Sequence, residues 1–300
     1  SIGVWTAANV RHATVGFGST ARYPRGDGCC GRAGSQIRLE RGYWQLAINN
    51  RKAMPREEAM DIIVTDVTNM KGGHVCIAGI EPNTSTCVRP QKNVNGNRYL
   101  TYFEAKEKNI QPGSILRGNF VRANNPPQIP HVEDFLFSRL SLVGVASAAD
   151  FHAVLEDSAR PTVEAAFGRA TNQKWFAENQ PPQCSIATLK LTQILNRLRF
   201  FVDERNGKQA IKAHIVDGSG VQLQYLPIKD RRMEDHTRDI LGGDYGARRL
   251  MNFYANQKEV YLRLGIGRAW APQGETPKHW LQINGIYSFP SYMPELSAYV

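Results

Sequence analysis

No apolar run in the 300 residues approaches the roughly 18–20 needed to cross a bilayer as a helix, which excludes a protein embedded by membrane helices. Cysteine is scarce. Five in 300, without paired spacing, exclude a disulfide-stapled scaffold, and the adjacent Cys29–Cys30 lacks the second Cys/His pair of a zinc knuckle. The motifs G-x-S-x-G, Walker A and H-E-x-x-H are also missing, so familiar hydrolase, nucleotide-triphosphatase and metalloprotease chemistries have no signature here. What is present is 42% apolar residues, 21% charged residues, 26 Gly and 16 Pro. That composition excludes wholesale disorder and predicts a soluble, cytoplasmic globular protein with one large core or two of about 100–150 residues.

The net charge of +10 is unevenly placed. Residues 1–59 hold nine Lys/Arg against four Asp/Glu, so half the excess sits in a fifth of the chain. The stretch begins at Ser1, and its RYPRGDGCCGRAGSQ (22–36) mixes Gly and Pro without any sustained period. It lacks the apolar segment and cleavage site of a signal peptide. The expectation is a poorly ordered basic extension, or sequence upstream of a start at Met54 or Met60, so the overall charge is no argument for DNA binding.

From Met60 the pattern changes. DIIVTDV (61–67), HVCIAGI (74–80), SILRGNFV (114–121) and SLVGVA (141–146) are β-branched runs punctuated by turns. A second series follows in ATLKLTQIL (187–195), RFFVDE (199–204), QAIKAHIVD (209–217), VQLQYLPI (221–228), EVYLRLGI (259–266) and HWLQINGIYSF (279–289). Glu-Pro-Asn-Thr-Ser (81–85), Glu-Arg-Asn-Gly (204–207) and Asp-Gly-Ser-Gly (217–220) are hairpin punctuation. Helices are expected over 147–157, after Pro161 with Gly168 closing, and over 246–256. HVEDF (131–135) and RMEDH (232–236) share Glu-Asp, a faint echo suggesting duplication. The fold class is therefore mainly β: two tandem OB-like antiparallel β-barrels with a few connecting helices, over 60–183 and 184–300.

The runs IIVTDVTNMKGGHVCIAGI…CVRP (62–90), PGSILRGNF (112–120), HVED (131–134), CSIATLKL (184–191) and YLRLGIGRAW…HWLQINGIYSFP (261–290) resemble the dual OB-domain proteins, largely prokaryotic chains of two tandem OB-like barrels. The resemblance spans about 60–293 and leaves the extension outside. It implies a fold rather than an activity, and some members of that family sit near defence or mobile-element genes. An OB fold does not by itself imply nucleic-acid binding.

OB folds that hold single strands set aromatic platforms for bases beside Lys/Arg for phosphates. Tyr261, Arg263, Arg268 and Trp270 gather near the last strand pair, with Trp280. Arg199 and Phe201 share one face of an early strand in the second half, and Arg89, Arg117 and Arg122 are the candidates in the first. On LRLGI, Tyr261 and Arg263 oppose the Leu/Ile stripe and are expected to be exposed together. The Trp side chains have an alternative use packing a barrel end.

His131, Glu133 and Asp134, and then Glu234, Asp235 and His236, offer divalent-metal chemistry. Consecutive strand residues point to opposite faces, so acids accepting backbone N–H bonds, or pairing with Arg231, Arg232 or Arg238, are the simpler use. Cys76 and Cys87 flank a turn and read as packing thiols rather than zinc ligands. LGIGRAW (264–270) lacks the third glycine of a dinucleotide fingerprint, and LGGDYGARR (241–249) reads as a plain loop into a helix. No cofactor is expected. The leading function is a non-enzymatic module binding nucleic acid, most simply single-stranded. The alternatives are a protein–protein adaptor and a metal-dependent phosphodiesterase.

Overall fold

A computed structural model describes residues 59–205, 208–239 and 243–293. The expected basic extension lies, but for Ala59, outside them. The chain is mainly β, with strands meeting in three sheets. None of its described helices is long and apolar enough to cross a membrane.

The first half is organised by one long strand, β1 (Ala59–Asn69). Its start pairs with β5 (Ser114–Arg122) and its end with β2 (His74–Ile80), with an irregularity at Val64/Asp66 where the strand changes partner. Strand β2 continues to β3 (Cys87–Lys92) and to a two-residue β4 (Leu100–Thr101). The 12-residue β6 (Asp134–Val145) runs parallel to β3 and antiparallel to β5, so the pairing β1-β5-β6-β3-β2 returns to β1. Inward-pointing Ile62, Val64, Val67, Val75, Ile77, Val88 and Leu116 fill this ring. The expected turn at 81–85 is held by the Glu81 carboxylate, which accepts from the backbone and side chains of both Asn83 and Thr84. A short helix, α1 (Tyr102–Glu107), carries a Thr101/Glu104 capping box, and Glu104 also takes Lys92.

Connecting elements follow: α2 (Ala148–Ser158), capped by Ser147; β7 (Ala159–Arg160); α3 (Val163–Phe167), closed by Gly168 at φ +66°; and β8 (Trp175–Ala177). The second half begins with β9 (Ile186–Thr192). One turn of helix, α4 (Ile194–Arg197), entered through Gln193 at φ +56°, redirects the chain into β10 (Leu198–Arg205). Then come β11 (Lys208–Val216), β12 (Gln222–Pro227), α5 (Arg231–Asp239), α6 (Gly243–Ala255), β13 (Glu259–Ile266) and β14 (Lys278–Phe289). They form the sheets β10-β11-β12 and β7-β9-β13-β14-β8, linked by a parallel bridge between Ile228 and Ile283. Their inner faces close on one core with Leu250 and Tyr254 of α6. Pairing runs across residue 184, since β7 and β8 lie upstream of it yet join β9 and β14.

Two expectations change. The Glu-Asp echo is not a structural repeat, because HVEDF leads into β6 while RMEDH lies within α5. Nor is pairing wholly antiparallel, since β3–β6 and β7–β9 are parallel.

The halves meet across a polar seam. Arg263 on β13 reaches Asp66 on β1 at 2.8 Å, and also donates to Thr188 Oγ1 and Cys87 Sγ. Glu133 accepts from the Ser185 and Ile186 backbone N–H groups and from Ser185 Oγ, and Tyr287 Oη donates to the Thr65 carbonyl.

Candidate nucleic-acid interface

The outward face of β10-β11-β12 carries an aromatic cluster. Alternation puts Arg199 and Phe201 on one side of β10, and His214 stands opposite Arg199 on β11. The Phe201 and His214 ring centres are 4.4 Å apart, and Tyr225 meets both edge-on at 5.2 and 4.8 Å. Tyr225 is 46% exposed at φ +59°, a backbone state rare outside glycine. The register explains it: between Ala213↔Leu226 and Ile215↔Leu223, one residue of β11 faces two of β12. This bulge turns the Tyr225 ring onto the cluster at a cost of order 1–3 kcal/mol. Burial, followed by the charge of Arg199, lowers the pKa of His214, which leaves it a neutral stacking surface at pH 7.

The aromatic surface continues across to β14 and β8. Lys174 Nζ lies 5.7 Å from the Tyr225 ring centre and 6.0 Å from that of Trp280. Lys278 Nζ sits 4.9 Å from Trp175 and 5.6 Å from Trp280. Trp280 Nε1 donates to the Trp270 carbonyl, and Trp270 and Lys278 exchange backbone hydrogen bonds that hold the base of the 267–277 loop. Trp270 itself is 62% exposed. The result is a strip of rings interleaved with lysines, Arg199 at one end and the loop carrying Arg268 and Trp270 at the other. Cation–π contacts of this kind hold the rings in place, and Lys278 Nζ also pairs with Glu275 at 2.9 Å.

Two of the eight residues expected at an interface therefore lie along the strip, Arg199 and Trp270, while Arg268, on the same loop as Trp270, sets its guanidinium 3.9 Å from Asp134. Arg117 is exposed on β5 in a two-bond pair with Asp61, and Arg122 donates to the Val132 carbonyl over the Phe135 ring. Arg89 is buried against Asp134 and His131. Tyr261 and Arg263 correct the sequence reading, being 0% and 1% exposed. Strand β13 is flanked by β9 and β14 and covered on both faces, so its polar side is buried against α2 and the seam. Tyr225, Lys174, Lys278 and Trp175 carried no earlier signal. The one available cue was Tyr in a polar-flanked strand, and nothing in the sequence marks its bulge.

The five carboxylate and histidine candidates whose side chains are described do not form a metal-ligand group. Glu133 and Asp134 point to different partners, Ser185 and Arg89. Glu234 pairs with Lys229, and Asp235 with Arg231. The His236 side chain lies outside the described residues. Among the described residues, His152, Glu156 and Glu259 bring ligand atoms within 4.8 Å of one another. Lys190 Nζ already bridges both carboxylates at 2.7 Å, and Tyr261 Oη donates to Glu156. A cation would have to displace that ammonium group. Among the described residues, desolvation pushes the thiols of Cys76 up to about 11 and of Cys87 and Cys184 up to about 12, so none of these three is a thiolate at neutral pH.

No protein-family model and no curated protein matches the chain. Solved structures do. One is described as a murine DNA-binding protein bound with double-stranded DNA. It is 9% identical, with a TM-score of 0.30, over 77% of this chain and 97% of that one. A likeness of that size carries no argument about the strip.

Proposed function

We propose that the protein is a non-enzymatic binding module for single-stranded nucleic acid, and that it binds through the strip on its second half. The observation that carries this is the interleaving of Phe201, His214, Tyr225, Trp280, Trp175 and Trp270 with Lys174, Lys278 and Arg199, the composition a base-stacking, phosphate-tracking groove requires.

The topology supports the same reading. In the first half the order β1-β2-β3-β6-β5-β1, with β3 parallel to β6 and a helix before β5, supports reading it as an OB barrel. In the second half, β9 and β10 act as one interrupted first strand. Strands β11 and β12 follow, β12 touches β14 in parallel, and β13 closes back to β9. On this reading the chain is a dual OB-domain protein, and the strip occupies the second- and third-strand face and the last loop of its second barrel, where OB folds take oligonucleotides. The equivalent face of the first barrel bears Cys87, which accepts from Arg263 across the seam.

Each stacked base is worth about 1–3 kcal/mol. Fluorescence anisotropy with labelled single-stranded DNA and RNA across a salt series tests the proposal. Saturable binding that weakens linearly in log salt, and is lost in Y225A and W270A, is the expected result. Absence of binding refutes it and shifts the assignment to a protein-docking role, for which Leu142, Val143 and Val145 stand exposed on β6.

A further inference from the structure

Where the 267–277 loop meets the first half, a side-chain cluster contains two buried histidines, His131 at 7% and His279 at 6% exposure, with ring centres 6.3 Å apart. Arg89 donates from Nη2 to His131 Nδ1 at 3.0 Å and from Nε to Asp134 at 2.5 Å. A guanidinium only donates, so Nδ1 is the acceptor and the ring proton of neutral His131 sits on Nε2. Burial, then the charges of Arg89 and Arg268, lower His131 to about 4, so it is neutral at pH 7. That Nε2–H is buried and has no protein partner, and leaving such a donor unmade costs about 1–3 kcal/mol. Gln91 Nε2, two residues along the same face of β3 as Arg89, is likewise buried and unpartnered. On its solvent side is Arg268, largely exposed, whose guanidinium lies 3.9 Å from Asp134. Arg89 already neutralises that acid. His279 is fixed by its Nδ1–H to the Gly267 carbonyl. The cluster thus combines an unspent donor, an exposed cation and a net positive charge.

It also adjoins the strip. On β14, alternation turns His279 to this cluster and its neighbours Lys278 and Trp280, which contact each other, to the strip. We propose that this cluster is a phosphate seat, in which His131 Nε2–H and the Arg268 guanidinium take the terminal phosphate of a strand whose bases stack on the strip. The identity of the strand as the source rests on the function proposed above; the seat itself does not.

The full chain, with ¹⁵N-labelled histidine, is titrated with inorganic phosphate while the His131 ring nitrogens are followed by NMR. In parallel, oligonucleotides of one sequence carrying a 5′-phosphate, a 3′-phosphate or neither are compared by anisotropy, in wild type and in R268A, an exposed position whose loss leaves the fold intact. A saturable His131 Nε2 shift, and a gain of about tenfold or more from one terminal phosphate that R268A abolishes, is the expected result. A His131 shift without any end preference keeps the seat and assigns it to free phosphate. Unmoved His131 resonances together with equal affinity for all three oligonucleotides overturn the seat. Binding of the unphosphorylated strand reports separately on the strip.

Discussion

Replacing Arg263 with Met leaves Asp66 as a buried carboxylate almost alone. In the native protein Asp66 Oδ2 receives the Arg263 Nε–H at 2.8 Å and the Thr65 hydroxyl at 2.8 Å, while Oδ1 has no partner. Both charged side chains are 1% exposed, so water cannot take over. Removing one partner of such a pair costs about 3–5 kcal/mol, because the remaining charge stays desolvated. Against a total stability of about 5–15 kcal/mol this is a large fraction, and urea unfolding of R263M should show a much lower midpoint at an unchanged slope. Removing both charges in D66A/R263M should recover most of the loss, to within about 1–2 kcal/mol of wild type, since the desolvation penalty then disappears from both sides. Nucleic-acid affinity of the folded fraction should be unchanged in either variant. If R263M loses less than about 1 kcal/mol, or weakens binding without destabilising, then Arg263 is a surface contact and the seam has been misread.

Tyr225→Gly should cut oligonucleotide affinity by about 1–3 kcal/mol while stability stays within about 1 kcal/mol of wild type, because relief of the φ +59° strain offsets the lost ring contacts. Paired anisotropy and thermal melts check it. Lys278→Ala should flatten the plot of log affinity against log salt by about 0.7, one phosphate contact's worth, if Lys278 tracks the backbone. Glu104→Gln should destabilise by about 1 kcal/mol at pH 7 through loss of the carboxylate charge that takes Lys92 and the Thr101 N–H, at the low end because the group is partly exposed. The hydrogen bonds from Lys92 and Thr101 depress Glu104 to about 2, below its unfolded value. Its contribution is therefore full above about pH 4.3 and lost as pH falls towards 2, so acid titration of the two proteins should converge there. Gly168→Ala should lose at least about 1 kcal/mol in urea unfolding, since a Cβ would stand 2.3 Å from Gln183 Cδ at a left-handed φ.

Most strands were legible because period-two alternation survives wherever one face meets a core, as in Ile211, Ala213 and Ile215 on β11. The same rule misled at β13. Alternation distinguishes the two sides of a strand but not whether the second side meets water, and α2 and the seam cover the side that bears Tyr261 and Arg263. Helix α5 escaped because RRMEDH is polar almost throughout. Its Arg231 and Asp235 are buried as an ion pair one turn apart, a use of charge that composition does not announce. Within the strip, Arg199, Phe201 and Trp270 could be named from spacing. Tyr225 could not, because a bulge is a property of two strands in register and neither strand carries it alone.

The buried seam also bears on modularity. OB-type barrels are ordinarily units that recombination can move from chain to chain, each with its own finished surface. Here Glu133 of the first half is satisfied by backbone amides of the second, and Arg263 of the second by a carboxylate of the first. Either half transplanted alone would carry an unpaired ion into its new context. The two halves therefore behave as one part, and a substitution at the seam in one half constrains which residues the other can accept.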